Sequence, residues 1–211
     1  MNELELHIAK VDPEERWNRV QALEAPLKFV SYRDDATIAW FSASHTSGIR
    51  LAVCDGAKLD FRRVHEWPVV ELRQYRIKPG MRARFAEFFR DRATPAQARY
   101  DITVLGHFDD LGDANNFVWM RGFPSLVERD RRKSVFYTSR LWYDELQDDA
   151  FGMIEDYSNV LLAAPVRGEK ALAMRVASVP RPAKRGEGGR RPGEGALGTA
   201  ASAAARRAAR P

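Results

Sequence analysis

Residues Val69–Pro79 read VVELRQYRIKP and are followed by Gly80. Val69–Ile77 alternates apolar with polar side chains and predicts a strand; Pro79-Gly80 predicts the turn that ends it. The alternation gives this strand two faces, with Val70 and Leu72 on one and Glu71, Arg73 and Tyr75 on the other. Downstream, Met81, Phe85, Phe88 and Phe89 recur at helical spacing, with Arg82, Arg84, Glu87, Arg90 and Asp91 outside. Pro95 is expected to end that helix. Strands are expected at 102–108 and 117–121, joined by a turn containing Leu111-Gly112-Asp113 and closed by Gly122. Pro124-Ser125 opens a second helix reaching Tyr137. After a connection holding Leu141, Trp142 and Tyr143, residues 159–164, NVLLAA, read as a fourth strand.

The order is β-α-β-β-α-β, so the chain is assigned to the α+β class with a ferredoxin-like core over residues 69–165. Both helices would lie on one face of an antiparallel sheet. If Val70, Leu72, Ile102, Val104, Val118 and Met120 meet the helices, then Glu71, Arg73, Tyr75, Thr103, Leu105, His107, Phe117, Trp119 and Arg121 share the opposite face. Aromatic and charged side chains together do not make an ordinary solvated face. It should be covered by a second subunit or another layer.

Residues 1–66 form a separate segment. Leu4, Leu6 and Ile8 alternate like a strand, and Asp12-Pro13-Glu14-Glu15 reads as a helix start with Asp12 as cap, ended by Pro26. Strands are expected at 28–32, 37–42 and 49–54, giving β-α-β-β-β with no family suggested. About 66 residues is near the lower limit for independent folding, so the segment should pack on its neighbour. At the other end, residues 166–179 form an extension of uncertain structure. Residues 180–211, rich in Arg, Ala, Gly and Pro, are expected to be disordered.

Net charge is +5, but residues 167–211 carry +8 and residues 1–166 therefore −3. The basic character belongs to the tail, and a nucleic-acid function of the core is disfavoured. Cys54, the single cysteine, excludes an internal disulfide and a multi-cysteine zinc cluster. No apolar run approaches the roughly 18 residues of a membrane span. The acidic N-terminus is unlike a secretory signal or presequence, so a soluble, cytoplasmic protein is expected.

Several ordered motifs carry a resemblance: Val70-Glu71-Leu72-Arg73-Gln74-Tyr75 with Lys78-Pro79-Gly80, Val104-Leu105-Gly106-His107-Phe108, Asn116-Phe117-Val118-Trp119-Met120, Phe123-Pro124-Ser125-Leu126 with Arg129, then Trp142 and Val160-Leu161-Leu162. Over residues 69–165 the chain resembles the NIPSNAP family within the dimeric α/β-barrel, ferredoxin-like group. Gln74 stands where the family usually has Thr, and His107 where Tyr or Trp is common. The resemblance implies a homodimer whose two sheets face each other as a barrel, with Gly80, Gly106, Arg129 and Trp142 as family-motif positions. Related barrels include cofactor-independent monooxygenases, haem-degrading enzymes and isomerases, so the fold permits an enzyme without requiring one.

Candidate binding residues are Glu71, Arg73, Tyr75, His107, Trp119 and Arg121, and candidate catalytic groups are His107 and Glu71. One reading of Glu71, Arg73 and Tyr75 is an ion pair and aromatic contact across a dimer seam. The sharper reading is a semi-enclosed cavity for a small, aromatic or quinone-like molecule. His107 is either a structural residue, a general base or a haem ligand. No second metal ligand stands at suitable spacing, so neither a metal nor a cofactor is expected. Phe136, Tyr137 and Trp142 cap the core or line a pocket mouth, and the run Glu128–Lys133, ERDRRK, reads as a solvated helix face in which Arg129 is the exception. The competing function is a non-catalytic dimeric scaffold whose basic tail, with Arg190-Arg191 and Arg206-Arg207, contacts an anionic partner.

Overall fold

A computed structural model describes residues 3–43, 47–54 and 61–163, with the side chains of 61 and 62 left aside. The expected extension and disordered tail lie outside the described residues. The strands are β1 (Glu3–Lys10), β2 (Leu27–Ser31), β3 (Thr37–Ser42), β4 (Ile49–Val53), β5 (Val69–Ile77), β6 (Thr103–Asp110), β7 (Asn116–Phe123) and β8 (Ile154–Ala163). The helices are α1 (Arg16–Ala22), α2 (Phe61–His65), α3 (Arg82–Phe88), α4 (Thr94–Ala98), α5 (Leu126–Tyr137) and α6 (Gln147–Met153).

All eight strands close into one antiparallel barrel in the order β1-β3-β2-β8-β5-β7-β6-β4. The C-terminal half contributes β8-β5-β7-β6, the ferredoxin-like order of fourth, first, third and second strand. The N-terminal half contributes β4-β1-β3-β2, which is the same order. It differs in having a single helix, α1, between its first two strands and, among the described residues, none between β3 and β4. The layer expected over the C-terminal sheet is therefore supplied by the same chain, and no second subunit is needed to complete the barrel. Two short seams join the halves: Val30↔Ala163 and Ser31↔Leu162 between β2 and β8, and Leu51↔Asp110 to Val53↔Phe108 between β4 and β6.

The two faces of the C-terminal sheet are the reverse of the sequence-based assignment. Val70, Leu72, Val118, Met120 and Leu162 point into the barrel, where they meet Leu4, Leu6, Leu27, Phe29, Phe41 and Leu51. Tyr75, Phe117, Trp119 and Phe123 point outward, under Phe85, Phe89, Phe136, Trp142 and Leu146 of the helical layer. An eight-stranded barrel has an interior just wide enough for side chains to fill, so aliphatic residues with a few Phe suit it. Trp and Arg go to the outer face. Ile102 and Val104 do pack on the helix side. The pairing slips between Val104 and Gly106, and this bulge turns Leu105 towards the interior before His107 returns to the helix side.

Local departures have local causes. Asp12 takes the Glu14 N–H in a turn, 2.9 Å, and the helix begins only at Arg16 without a side-chain cap. Pro95 does not end the first core helix: a π-helical turn over Phe89–Ala93 precedes it and runs directly into α4, whose first turn holds Pro95. Residues 141–153 are not a plain connection. A π-helical turn over Leu141–Leu146 continues into α6, with Trp142, Leu146, Ala150 and Met153 buried along one stripe. Ser125 caps α5 as its sequence suggests, accepting from the Glu128 N–H at 3.1 Å.

Candidate functional site

β5 is a central strand of the C-terminal sheet, and its register with β7 sets Glu71 opposite Arg121, Arg73 opposite Trp119 and Tyr75 opposite Phe117. All six share the outer face, Tyr75, Phe117 and Trp119 against Phe85 and Phe89, and Glu71 against α5. Glu71 is fully buried, and four cationic side chains converge on its carboxylate. Arg121 Nε donates to Oε2 at 2.9 Å, while Oε1 receives Arg73 Nη1 at 2.9 Å, Arg129 Nη2 at 3.1 Å and Lys133 Nζ at 3.4 Å. Arg73 Nε also donates to the Tyr75 hydroxyl at 3.0 Å, and Arg121 Nη1 to Gln97 Oε1 at 3.0 Å and the Tyr137 hydroxyl at 3.4 Å. The guanidinium of Arg73 lies over the rings of Tyr75, Trp119 and Tyr157, and that of Arg121 over Trp119, Phe123 and Tyr137.

Charge in this layer does not balance. Against the single buried carboxylate and the exposed Asp130, which pairs with Arg129 at 2.6 Å, stand three guanidiniums and one ammonium. Burial disfavours the charge on Glu71, yet the attraction of Arg121, Arg73, Lys133 and Arg129 outweighs it and holds the carboxyl well below its ordinary range. Lys133 goes the other way. Burial and the repulsion of Arg121, Arg129 and Arg73 exceed the attraction of Glu71, and its ammonium is pushed down to about 7. Burial, opposed by Arg73, pushes the Tyr75 phenol up to about 12. Three buried donors, Arg121 Nη2, Arg129 Nε and Trp119 Nε1, find no acceptor among the described residues. Buried polar groups are ordinarily paired, so an excess of positive charge with unanswered N–H groups marks a place suited to an acceptor or anion.

The sequence-predicted residues thus divide. Glu71, Arg73, Tyr75, Trp119 and Arg121 form one contact network beneath the helices, not across a subunit seam. His107 lies on the same face but at its phenylalanine end, stacked on Phe117 at 5.9 Å between ring centres and edge-on to Phe89 at 5.5 Å. Of the family-motif positions, Arg129 enters the network, Gly80 makes the turn after β5 at φ 77°, Gly106 follows the bulged Leu105, and Trp142 packs on Phe136 and Tyr137. Lys133, Gln97 and Tyr137 were not singled out as members. Lys133 was concealed in the run ERDRRK, although its place one helical turn beyond Arg129 was a signal that both share a face. A surface cleft of about 220 Å³ lined by Arg84, Glu87, Arg92 and Asp149 shares no residue with the network. Among the described residues no group of three His, Cys, Asp or Glu is placed to hold a metal, and no helix is long and apolar enough to cross a membrane.

The whole barrel has counterparts among solved structures. A ferredoxin-fold protein related to antibiotic biosynthesis monooxygenases, from Listeria monocytogenes, superposes with a TM-score of 0.50 at 9% identity, covering 79% of this chain and 95% of its own. A candidate monooxygenase from Lactobacillus acidophilus gives 0.51 at 12% identity, covering 77% and 94%. Those shares exceed everything after residue 69, so the likeness of fold takes in the N-terminal half. An Agrobacterium tumefaciens NIPSNAP family protein is 24% identical over 48% of this chain and 96% of its own, with a TM-score of 0.44. No curated protein matches the chain. The NIPSNAP family model matches residues 70–166, the stretch that supplies β5–β8, α3–α6 and every member of the Glu71 network, and that part of the chain is a NIPSNAP domain.

Proposed function

We propose that the protein binds a small, flat molecule bearing a carboxylate or comparable oxyanion in the layer between β5–β8 and α5. The observation that supports it is the convergence of Arg73, Arg121, Arg129 and Lys133 on the single buried carboxylate of Glu71, with donors of Arg121, Arg129 and Trp119 left over. The guanidiniums, held over the rings of Tyr75, Trp119, Tyr137 and Tyr157, offer bidentate partners for an acidic group, and the same aromatic surroundings suit a flat ligand. Lys133, with a side chain 19% exposed, marks the way in. The fold likeness to monooxygenase-related proteins accords with a small-molecule ligand.

Because the barrel closes within one chain, the site is complete in one copy, and a homodimer is not required for it. The alternative, a scaffold working through its basic tail, rests on residues outside those described. Native mass spectrometry of the purified protein, followed by calorimetric titration with benzoate, tests the proposal. A bound acidic compound, or benzoate binding that weakens at least tenfold in Arg129→Met and Lys133→Met, is expected. Benzoate binding that is absent, or equally strong in both variants, overturns it.

A further inference from the structure

The N-terminal half repeats the geometry of the Glu71 network with different chemistry. On β1 and β3, Glu5 pairs with Ser42 and His7 with Trp40, as Glu71 pairs with Arg121 and Arg73 with Trp119 on β5 and β7. The sequence carries the same echo: Leu4-Glu5-Leu6-His7 against Val70-Glu71-Leu72-Arg73, and Ile38-Ala39-Trp40-Phe41-Ser42 against Phe117-Val118-Trp119-Met120-Arg121. In the C-terminal half α5 covers this position. In the N-terminal half the described residues place no helix between β3 and β4, and a groove of about 480 Å³ opens there, lined by His7, Trp40, Ser42, Leu23, Gly48 and Ile49 among others.

We infer that this groove is a second ligand site, in which His7 accepts a hydrogen bond from the hydroxyl of a flat aromatic molecule of the phenol class. Glu5 is almost wholly buried, and its Oε1 receives the Gly48 N–H at 2.8 Å. Its Oε2 lies 3.2 Å from His7 Nε2, which is also 3.3 Å from Ser42 Oγ. A carboxylate acceptor fixes Nε2 as the nitrogen that carries hydrogen, and leaves Nδ1 with the lone pair. His7 Nδ1 makes no hydrogen bond within the described residues, and His7 lines the groove. The imidazole is held flat against Trp40, with ring centres 4.6 Å apart and planes at 5°, so the acceptor is oriented before any ligand arrives. Gly48 is required for this arrangement: a Cβ there would stand 2.7 Å from Glu5 Cγ and 2.8 Å from His7 Cε1.

The sign of the charge separates the two sites. Glu5 beneath His7 and Glu24 on the rim disfavour an anion, whereas four cations favour one around Glu71. The ligand here is therefore a neutral donor, and this inference stands whether or not benzoate binds in the other half.

The test uses the full chain, phenol as probe, and NMR of the histidine ring nitrogens. In the free protein His7 is expected as the Nε2–H tautomer. Phenol should shift its signals saturably while those of His65 and His107 stay in place. Anisole, which keeps the ring and lacks the O–H, should bind about fivefold more weakly, the worth of one neutral hydrogen bond. His7→Phe, which keeps a flat ring on Trp40, should abolish the preference for phenol over anisole, and His7→Gln provides a second variant should the first fail to fold. Anisole binding as tightly as phenol, phenol shifting His107 in place of His7, or a preference for phenol that survives in the variant would each overturn the assignment.

Discussion

The two halves of the barrel share a strand order, a register and a glutamate on the first strand, yet one glutamate lies under a helix and the other beside a groove. Around Glu71, α5 brings Arg129 and Lys133, and the carboxylate is surrounded by cations. At Glu5 a backbone N–H of Gly48 and the imidazole of His7 contact the carboxylate. Interior alternation suffices to build either half. What the outer face becomes is decided by which helices lie over it, so the same scaffold position is a buried ion network in one half and an open acceptor in the other.

Removing each glutamate in turn should separate the two halves most strongly. Glu71→Ala leaves the buried guanidiniums of Arg73 and Arg121 without their carboxylate and should cost about 3 to 5 kcal/mol of unfolding free energy in a denaturant titration. Glu5→Ala takes the acceptor from the Gly48 N–H and the His7 Nε2–H beside an open groove, where water can replace it, and should cost about 1 kcal/mol. Equal costs would mean that the halves are not electrostatically different. The glycines sharpen the same contrast. Gly122→Ala would set a Cβ 2.4 Å from the Trp67 indole, and Gly48→Ala one 2.7 Å from Glu5 Cγ. Each overpacks by about 1 to 3 kcal/mol. Gly48→Ala should also abolish phenol binding while leaving benzoate binding intact, as paired titrations would record.

Lys133 gives the C-terminal half a pH dependence. An anion stabilises its charged form, so benzoate binding should take up protons near neutral pH and weaken as pH rises through about 7. Calorimetry in buffers of different ionisation enthalpy measures that uptake. The sign for stability follows from the same group. Its ordinary value is 10.5, so between about 7 and 10.5 the unfolded chain holds a proton that the folded one has released, and stability should rise with pH across that window. The smallest effect is expected two residues away on the same helix. Arg131 pairs with Glu128 at 2.8 Å on the solvent side, and Arg131→Ala should leave the unfolding midpoint and both affinities unchanged.

Much of this could be read from the residues before any coordinates. The bounds of β5 and the β-α-β-β-α-β order followed from alternation and turn residues, and Glu71, Arg73, Tyr75, Trp119 and Arg121 were placed on one face. Which face was inside was not legible, because alternation defines two sides without naming the core. Barrel closure decides that, and it depends on strands more than 40 residues away in sequence. The helix through Pro95 is not legible because a π-helical turn has no periodic signature, whereas the stripe of Trp142, Leu146, Ala150 and Met153 is visible in the spacing of those residues. In the N-terminal half the strands are legible, but three residues of Glu-Leu-His against Glu-Leu-Arg are too short a repeat to stand out without the matching registers.

Closure of the barrel within one chain has a consequence for how such a protein can vary. Where two identical copies build a barrel, every substitution appears twice, and its stability falls on dilution. Here the seams between β2 and β8 and between β4 and β6 join non-identical halves at fixed effective concentration. Each half is free to change alone, so loss of a helix on one side need not unseat an arginine on the other, and one polypeptide can carry two chemistries that symmetry would forbid.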